Sequence, residues 1–222
     1  MRENRRMGRD RDRFRDRADA GRRLAKRLHT FNQASDTVVL GLPRGGVPVA
    51  AEIAGVLGLP LDVLIVRKLG VPGFQEVAFG AVASGGATVL NQGIIASARL
   101  DDATMEQVKA EQTEELHRRE RAYRGDRPPL DVRGKSVILV DDGIATGATM
   151  RVAVEALRSS EPMRIIVAVG VAPPETLRKL RRAADDVIAV VTPRNFIAVG
   201  AWYDKFAQTT DTEVITLLAG RS

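Results

Sequence analysis

The segment VILVDDGIATGATM, from Val137 to Met150, constrains the fold of this 222-residue chain more than any other feature of its sequence. It begins with four apolar residues, which have the composition of a buried strand. Asp141 and Asp142 follow at once, and Thr146-Gly147-Ala148-Thr149 then opens a helix. A buried strand that leads through two acids and a glycine-containing turn into a helix predicts a βα unit and therefore a parallel sheet.

The residues after this strand have the chemistry to hold a phosphate and a sugar. A helix N-terminus offers unpaired backbone N–H groups, a glycine lets that backbone wrap a phosphate, and Thr146 and Thr149 add hydroxyl donors. Asp141 and Asp142, expected at a solvent-facing strand end, can accept hydrogen bonds from vicinal hydroxyls such as those of a ribose. The alternative is a turn with helix-capping residues, but it requires only one Asp and one Thr.

Strand and helix patterns alternate along the rest of the chain, which predicts an α/β fold with a twisted, mainly parallel sheet flanked by helices. The other predicted parallel strands are Val38–Leu42, Leu61–Val66, Ile165–Val169 and Val187–Val191. The predicted helices begin near Phe14 and continue at Val47–Leu57, Asp101–Tyr123, Ala148–Arg158, Pro174–Ala183 and Thr212–Ala219. Residues 70–79 contain several turn formers and predict a mobile loop, and Ala81–Ala83 pairs with Thr88–Leu90 as a hairpin.

Composition excludes several classes of protein. The chain has no cysteine, so disulfides, thiolate catalysis and cysteine-based zinc sites are ruled out. Apolar runs such as Ile165–Ala172 are too short to span a bilayer, and the arginine-rich N-terminus lacks the apolar core of a signal peptide, so we expect a cytoplasmic protein.

The net charge of +6 is concentrated at the N-terminus, where residues 1–27 hold 12 of the 34 Lys and Arg residues and 5 of the 28 acids. We expect residues 1–12 to form a disordered basic tail. The basic segment at residues 1–27 could contact nucleic acid weakly, but acids are interleaved with its arginines and only Phe14 could stack on a base, which favours a solvated extension.

The Val137–Met150 segment resembles the signature of type I phosphoribosyltransferases, which bind 5-phosphoribosyl-1-pyrophosphate (PRPP). By this resemblance, Asp141 and Asp142 hold the ribose 2′- and 3′-hydroxyls. The 5′-phosphate would be bound by Ala145, Thr146, Gly147, Ala148 and Thr149. The resemblance also implies one domain over residues 13–222, with hood or flap elements at about 91–130 and 192–222.

Two further segments match the family in the expected order. Pro43-Arg44-Gly45-Gly46 resembles the pyrophosphate-binding loop, with a non-proline cis peptide implied at Arg44-Gly45; taken alone, it would be an ordinary tight turn. The stretch beginning at Val66 resembles the approach to the flexible catalytic loop. There Arg67 or Lys68 would reach the leaving pyrophosphate, Glu76 would be a catalytic-loop acid, and residues 70–79 would be the lid.

The activity implied is transfer of the 5-phosphoribosyl group to a nitrogen acceptor, most often a nucleobase, with release of pyrophosphate. The resemblance further implies a role in nucleotide metabolism such as purine salvage, and a homodimer. It also implies Mg²⁺ held mainly by pyrophosphate, ribose oxygens and waters, with no dedicated protein metal site. The alternative on the same fold is a PRPP-sensing regulator that binds nucleic acid through the tail. A phosphatase-like or response-regulator-like protein is disfavoured, because the two acids adjoin the phosphate loop directly.

The acceptor segment departs from the enzymes for 6-oxopurines. Those enzymes carry an Asp where this chain has Ala145, which cannot move a proton. They also carry a Lys after the next strand, which is missing from Val169–Ala172. By resemblance Phe196 or Trp202 would nevertheless stack on a base and Asp204 would accept a ring N–H; the alternative is that these aromatics fill the core. We therefore expect negligible activity with hypoxanthine and guanine.

Overall fold

The computed structural model describes residues 13–220, and the predicted tail at residues 1–12 lies outside the described residues. The strands are β1 (Thr37–Gly41), β2 (Leu61–Val63), β3 (Val66–Val71), β4 (Phe74–Ala83), β5 (Thr88–Leu90), β6 (Ser136–Gly143), β7 (Arg164–Val171) and β8 (Asp186–Val191). The α-helices are α1 (Arg17–Arg27), α2 (Gly46–Leu57), α3 (Gln92–Ala98), α4 (Asp102–Arg124), α5 (Ala148–Arg158), α6 (Pro174–Leu180) and α7 (Asp211–Ala219).

The central sheet has five parallel strands in the order β2-β1-β6-β7-β8, which confirms the predicted α/β class. Successive side chains of β6 alternate between two cores. Ile138 and Val140 enter the core formed with α1, α2, α4 and α7, whereas Val137 and Leu139 enter the core formed with α5 and α6. The strand that carries the two acids therefore lies at the centre of the sheet, with helices on both sides.

The prediction of a mobile loop at residues 70–79 is wrong, because this segment forms most of an antiparallel β-hairpin. β3 pairs with β4, and β4 pairs with β5, in a separate three-stranded sheet. The turn needs only Pro72 and Gly73, and Gly73 supplies the positive φ of 79°. The turn-forming residues predict a loop, but the β-favouring residues that follow Gly73 pair with β3 and form β4. The predicted strand Leu61–Val66 likewise divides, since β2 ends at Val63 and β3 begins at Val66.

The first helix begins three residues later than the apolar spacing suggested. The side chain of Asp16 accepts a hydrogen bond from the Asp19 backbone N–H and caps α1, which therefore begins at Arg17. Phe14 is fully buried and forms a parallel bridge with Tyr203 near the C-terminus. The segment around Phe14 is thus tied to the segment that follows β8. Among the described residues no helix has both the length and the apolar composition to cross a membrane.

Candidate functional site

Asp141 and Asp142 lie at the carboxyl end of β6, beside the loop that follows β1. The register pairs Val140 with Gly41, so this loop leaves the sheet next to the acids. A methyl group on Gly45 would collide with the Asp142 carboxylate, and one on Gly46 would lie 2.5 Å from the Val140 carbonyl oxygen. The two glycines therefore let the loop backbone lie directly against the acidic pair.

A non-proline cis peptide is present in this loop, but its predicted position, Arg44-Gly45, is wrong by one residue. The cis bond joins Pro43 and Arg44. Gly45 already has helical backbone angles, φ −63° and ψ −32°, and is the residue at which the chain enters α2. The Arg44 side chain lines a cavity with residues of α4 and α7, whereas Gly45 and Gly46 contact the acids.

The predicted phosphate loop forms the start of α5. Gly147 caps this helix with a positive φ of 75°, and Ala145, Thr146, Ala148 and Thr149 are exposed around it. The loop is braced from below, because the Thr176 hydroxyl donates to the Ala145 carbonyl oxygen at 2.6 Å. An exposed helix N-terminus with small side chains and two hydroxyls is suited to bind a phosphate group.

Arg17 is the site residue that the sequence did not reveal. Its Nε donates to Asp142 Oδ2 at 2.8 Å, its guanidinium donates to the Ala207 carbonyl oxygen at 2.7 Å, and it lies over the ring of Phe206 at 4.1 Å. Only 13% of the Arg17 side chain and 10% of the Asp142 side chain are exposed. The Tyr203 hydroxyl also donates to the Asp142 carbonyl oxygen at 2.5 Å. The expectation that both acids face solvent is therefore wrong for Asp142, which the protein itself holds.

The electrostatics of the two acids differ accordingly. Burial, and next the charge of Asp142, raises the pKa of Asp141 well above its ordinary value. Burial also raises the pKa of Asp142, but the adjacent Arg17 opposes this shift. Asp141 Oδ1 accepts the backbone N–H of Asp142 at 2.9 Å. Asp141 is thus the carboxylate that would gain most from a ligand that donates hydrogen bonds.

The residues predicted on the catalytic loop separate into two groups, because consecutive residues of β3 point to opposite faces. Arg67 donates to Gln112 Oε1 on α4 from Nε at 3.1 Å and from its terminal nitrogen at 2.7 Å. Lys68 and Glu76 instead line a cavity of about 490 Å³ between the hairpin and α5, together with Ala148. The structure therefore brings Lys68 and Glu76, but not Arg67, next to the phosphate loop.

The predicted base-binding residues lie in the segment after β8. Phe196 and Trp202 are partly buried against the cluster that contains Phe14 and Tyr203. Asp204 Oδ1 accepts a hydrogen bond from Arg13 at 2.9 Å. The indole N–H of Trp202 is buried and has no hydrogen-bond partner among residues 13–220. These aromatics contribute to the core, and one of them retains an unused donor.

Comparison with known proteins agrees with this geometry. The sequence model of the family described as "Phosphoribosyl transferase domain" matches residues 12–204. The chain is 45% identical over 205 residues to "Putative phosphoribosyl transferase Rv0571c" of Mycobacterium tuberculosis, which covers 92% of this chain and 46% of that protein. The chain thus spans about half the length of the curated relatives that it matches.

A solved structure gives the same answer for the fold. The crystal structure of TT1426 from Thermus thermophilus is 44% identical, covers 95% of this chain and 99% of that chain, and superposes with a TM-score of 0.84. Together with the acidic pair, the adjoining glycine loop and the helix start at one strand end, these matches show that the chain belongs to the phosphoribosyl transferase domain family and has the type I fold.

Proposed function

We propose that this protein binds PRPP with Mg²⁺ and transfers its 5-phosphoribosyl group to a nitrogen acceptor with release of pyrophosphate. The observation that carries the proposal is the meeting of three elements at the end of β6. These are the acidic pair, the glycine backbone of residues 45–46 and the exposed start of α5 at residues 145–149. Each suits a different part of PRPP, namely the ribose hydroxyls, the pyrophosphate and the 5′-phosphate.

In this proposal the two acids do different work. Asp141 accepts hydrogen bonds from the ribose hydroxyls, and Arg17 holds Asp142 charged and in place. During transfer the bond between C1 and the pyrophosphate oxygen breaks, a bond from the acceptor nitrogen to C1 forms, and the acceptor releases a proton. The protein therefore acts by positioning the reactants and stabilising the charge of the leaving group, with little acid–base chemistry.

The residues present fit a magnesium ion that arrives with the substrate. Mg²⁺ commonly keeps several waters and uses one or two carboxylates with substrate phosphates, and the partly exposed Asp141 is the carboxylate available for this. When bound, the ion would neutralise charge on the pyrophosphate.

We assign Lys68 and Glu76 to the hairpin that covers the phosphate-loop side of the site. Both line the cavity next to Ala148, where Lys68 adds positive potential near the bound phosphates. Arg67 lies on the opposite face of β3, where its hydrogen bonds to Gln112 attach the hairpin to α4.

The acceptor would lie against the predicted hood at residues 192–222. Phe196 and Trp202 supply aromatic surface, and Asp204, which also accepts from Arg13, supplies an acceptor. Ala145 supplies no proton-transfer group, so we expect negligible turnover of hypoxanthine and guanine, and an acceptor such as a 6-aminopurine or a non-purine base. Robust turnover of hypoxanthine or guanine would refute this assignment.

The test is calorimetric titration with Mg-PRPP, followed by pyrophosphate release across a panel of nucleobases and amines. We expect Asp141→Asn to weaken PRPP binding at least tenfold, while the exposed Asp126→Asn control binds PRPP as the wild-type protein does. Absence of PRPP binding by the wild-type protein would refute the proposal. Tight PRPP binding without turnover of any acceptor would instead favour a PRPP-sensing regulator.

A further inference from the structure

A small polar cavity lies on the side of the Pro43–Gly46 loop that faces away from the acidic pair. Its volume is about 180 Å³, and it is enclosed by the loop, the second half of α4 and the start of α7. Arg44 enters it from the loop, Arg118 and Arg119 from α4, and Asp211 from α7. The acidic pair, the two loop glycines and residues 145–149 do not line this cavity, so it shares only Arg44 with the site proposed for PRPP.

Positive charge exceeds negative charge around this cavity. Arg118 and Arg119 share one carboxylate, because Glu115 accepts from Arg118 at 2.6 and 3.0 Å and from Arg119 at 2.8 Å. Asp211 is already engaged by the Tyr123 hydroxyl at 2.6 Å. The half-buried Arg44 guanidinium forms no hydrogen bond or ion pair with the residues that the structure describes.

A neighbouring arginine adds to this excess. Arg67 lies close enough that the charges of Arg119 and Arg118 lower its pKa, after the larger effect of burial. Three guanidiniums, those of Arg44, Arg118 and Arg119, line the cavity, and the carboxylates of Asp211 and Glu115 only partly offset their charge. Such an arrangement is electrostatically unfavourable without a counter-anion, and the planar guanidinium is the side chain best suited to bind phosphate oxygens through paired hydrogen bonds.

We propose that this cavity is a second anion site, which binds one phosphate group through Arg44, Arg118 and Arg119. The volume suits a single phosphate, either inorganic phosphate or the terminal phosphate of a small metabolite whose remainder stays in solvent. Since Arg44 belongs to the same loop that places Gly45 against Asp142, an anion bound here would hold that loop from behind. Only this last consequence rests on the proposed function; the anion site itself does not.

The test is calorimetric titration of the wild-type protein with inorganic phosphate. We expect one binding event at the start of α5 and a second in the arginine cavity. Arg118→Gln and, separately, Arg119→Gln should weaken the second event at least tenfold. Arg121→Gln removes the same charge from an exposed position of the same helix and should leave both events unchanged. Because 64% of the Arg118 side chain is exposed, that variant is expected to remain folded.

Saturating PRPP distinguishes this site from the one already described. If the cavity is a separate site, the arginine-dependent phosphate event should persist when PRPP occupies the loop at residues 145–149. Its disappearance would overturn the inference, since the pyrophosphate of PRPP would then occupy the cavity. Phosphate titrations that are identical for the Arg118, Arg119 and Arg121 variants would overturn it as well. Failure of PRPP to bind, with an arginine-dependent phosphate event intact, would refute only the proposed function.

Discussion

The ion pair between Arg17 and Asp142 gives the sharpest prediction, because it joins the N-terminal helix to the acidic pair. Replacing Arg17 by Gln removes the 2.8 Å contact to Asp142 and the cation–π contact with Phe206. It leaves Asp142 buried next to Asp141 without its cation. The variant therefore tests whether Arg17 is part of the site or merely a basic residue of an arginine-rich segment.

The expected loss of stability in Arg17→Gln follows from the burial of the ion pair. The side chains of the pair are only 13% and 10% exposed, so the loss resembles the breaking of a buried salt bridge, which costs about 3–5 kcal/mol. The matched control is Arg22→Gln, whose partner Glu52 lies 3.3 Å away with side chains that are 41% and 32% exposed. Such a pair contributes about 1 kcal/mol or less to the free energy of unfolding.

The pH dependence has a definite sign. Arg17 opposes the burial that raises the pKa of Asp142, so its removal raises that pKa further in the folded state. The folded state then binds a proton that the unfolded state releases, and stability is lost as pH rises above the ordinary Asp pKa of about 4. The deficit of Arg17→Gln in urea unfolding should be small at about pH 4 and full at neutral pH.

A double-mutant cycle tests whether the charge on Asp142 causes the loss of stability in Arg17→Gln. If the charge on Asp142 carries the effect, Arg17→Gln should cost at least about 2 kcal/mol less in an Asp142→Asn background than in the wild-type background. Equal costs in the two backgrounds would refute the reasoning. So would a deficit of Arg17→Gln that is the same at pH 4 and pH 7.

Three further predictions concern other residues of the site. Asp141→Asn should weaken PRPP binding at least tenfold. It should also raise the melting temperature at neutral pH, because the raised pKa of Asp141 means that its negative charge opposes folding there. A lower melting temperature at neutral pH would contradict this. Gly46→Ala should lower the free energy of unfolding in urea by about 1–3 kcal/mol, since the new methyl would lie 2.5 Å from the Val140 carbonyl oxygen. The control Gly93→Ala, in α3, should not destabilise the protein, because its methyl would lie 3.4 Å from its nearest neighbour, the Asn91 side-chain oxygen. Lys68→Ala should lower kcat more than it weakens PRPP binding, and a change confined to KM for PRPP would count against its assigned role.

The sequence predicted the parts of the site that are local in the chain. The strand, the two acids and the helix start lie within Val137–Met150, so composition and spacing determine them. The contact of Arg17 with Asp142 joins residues 125 positions apart, and Arg17 lies among many arginines that look equivalent in sequence. The hairpin of β3 and β4, which contains residues 70–79, was not predicted because each strand is stabilised by pairing with the other, and the sequence of one strand alone does not show that pairing.

The different roles of the two acids follow from the pleat of β6. Because side chains alternate along a strand, Asp141 follows the face of Leu139 and Asp142 follows the face of Val140, which packs in the core with α1 and α2. Arg17, in the first turn of α1, forms its ion pair with Asp142, and its charge has only a smaller effect on the pKa of Asp141. Neighbouring acids with equal surroundings would compete equally for one proton, whereas here the ion pair with Arg17 opposes the rise in the pKa of Asp142 more directly than that of Asp141. In this arrangement the N-terminal helix is a component of the site, and its register on the sheet matters as much as the acids themselves.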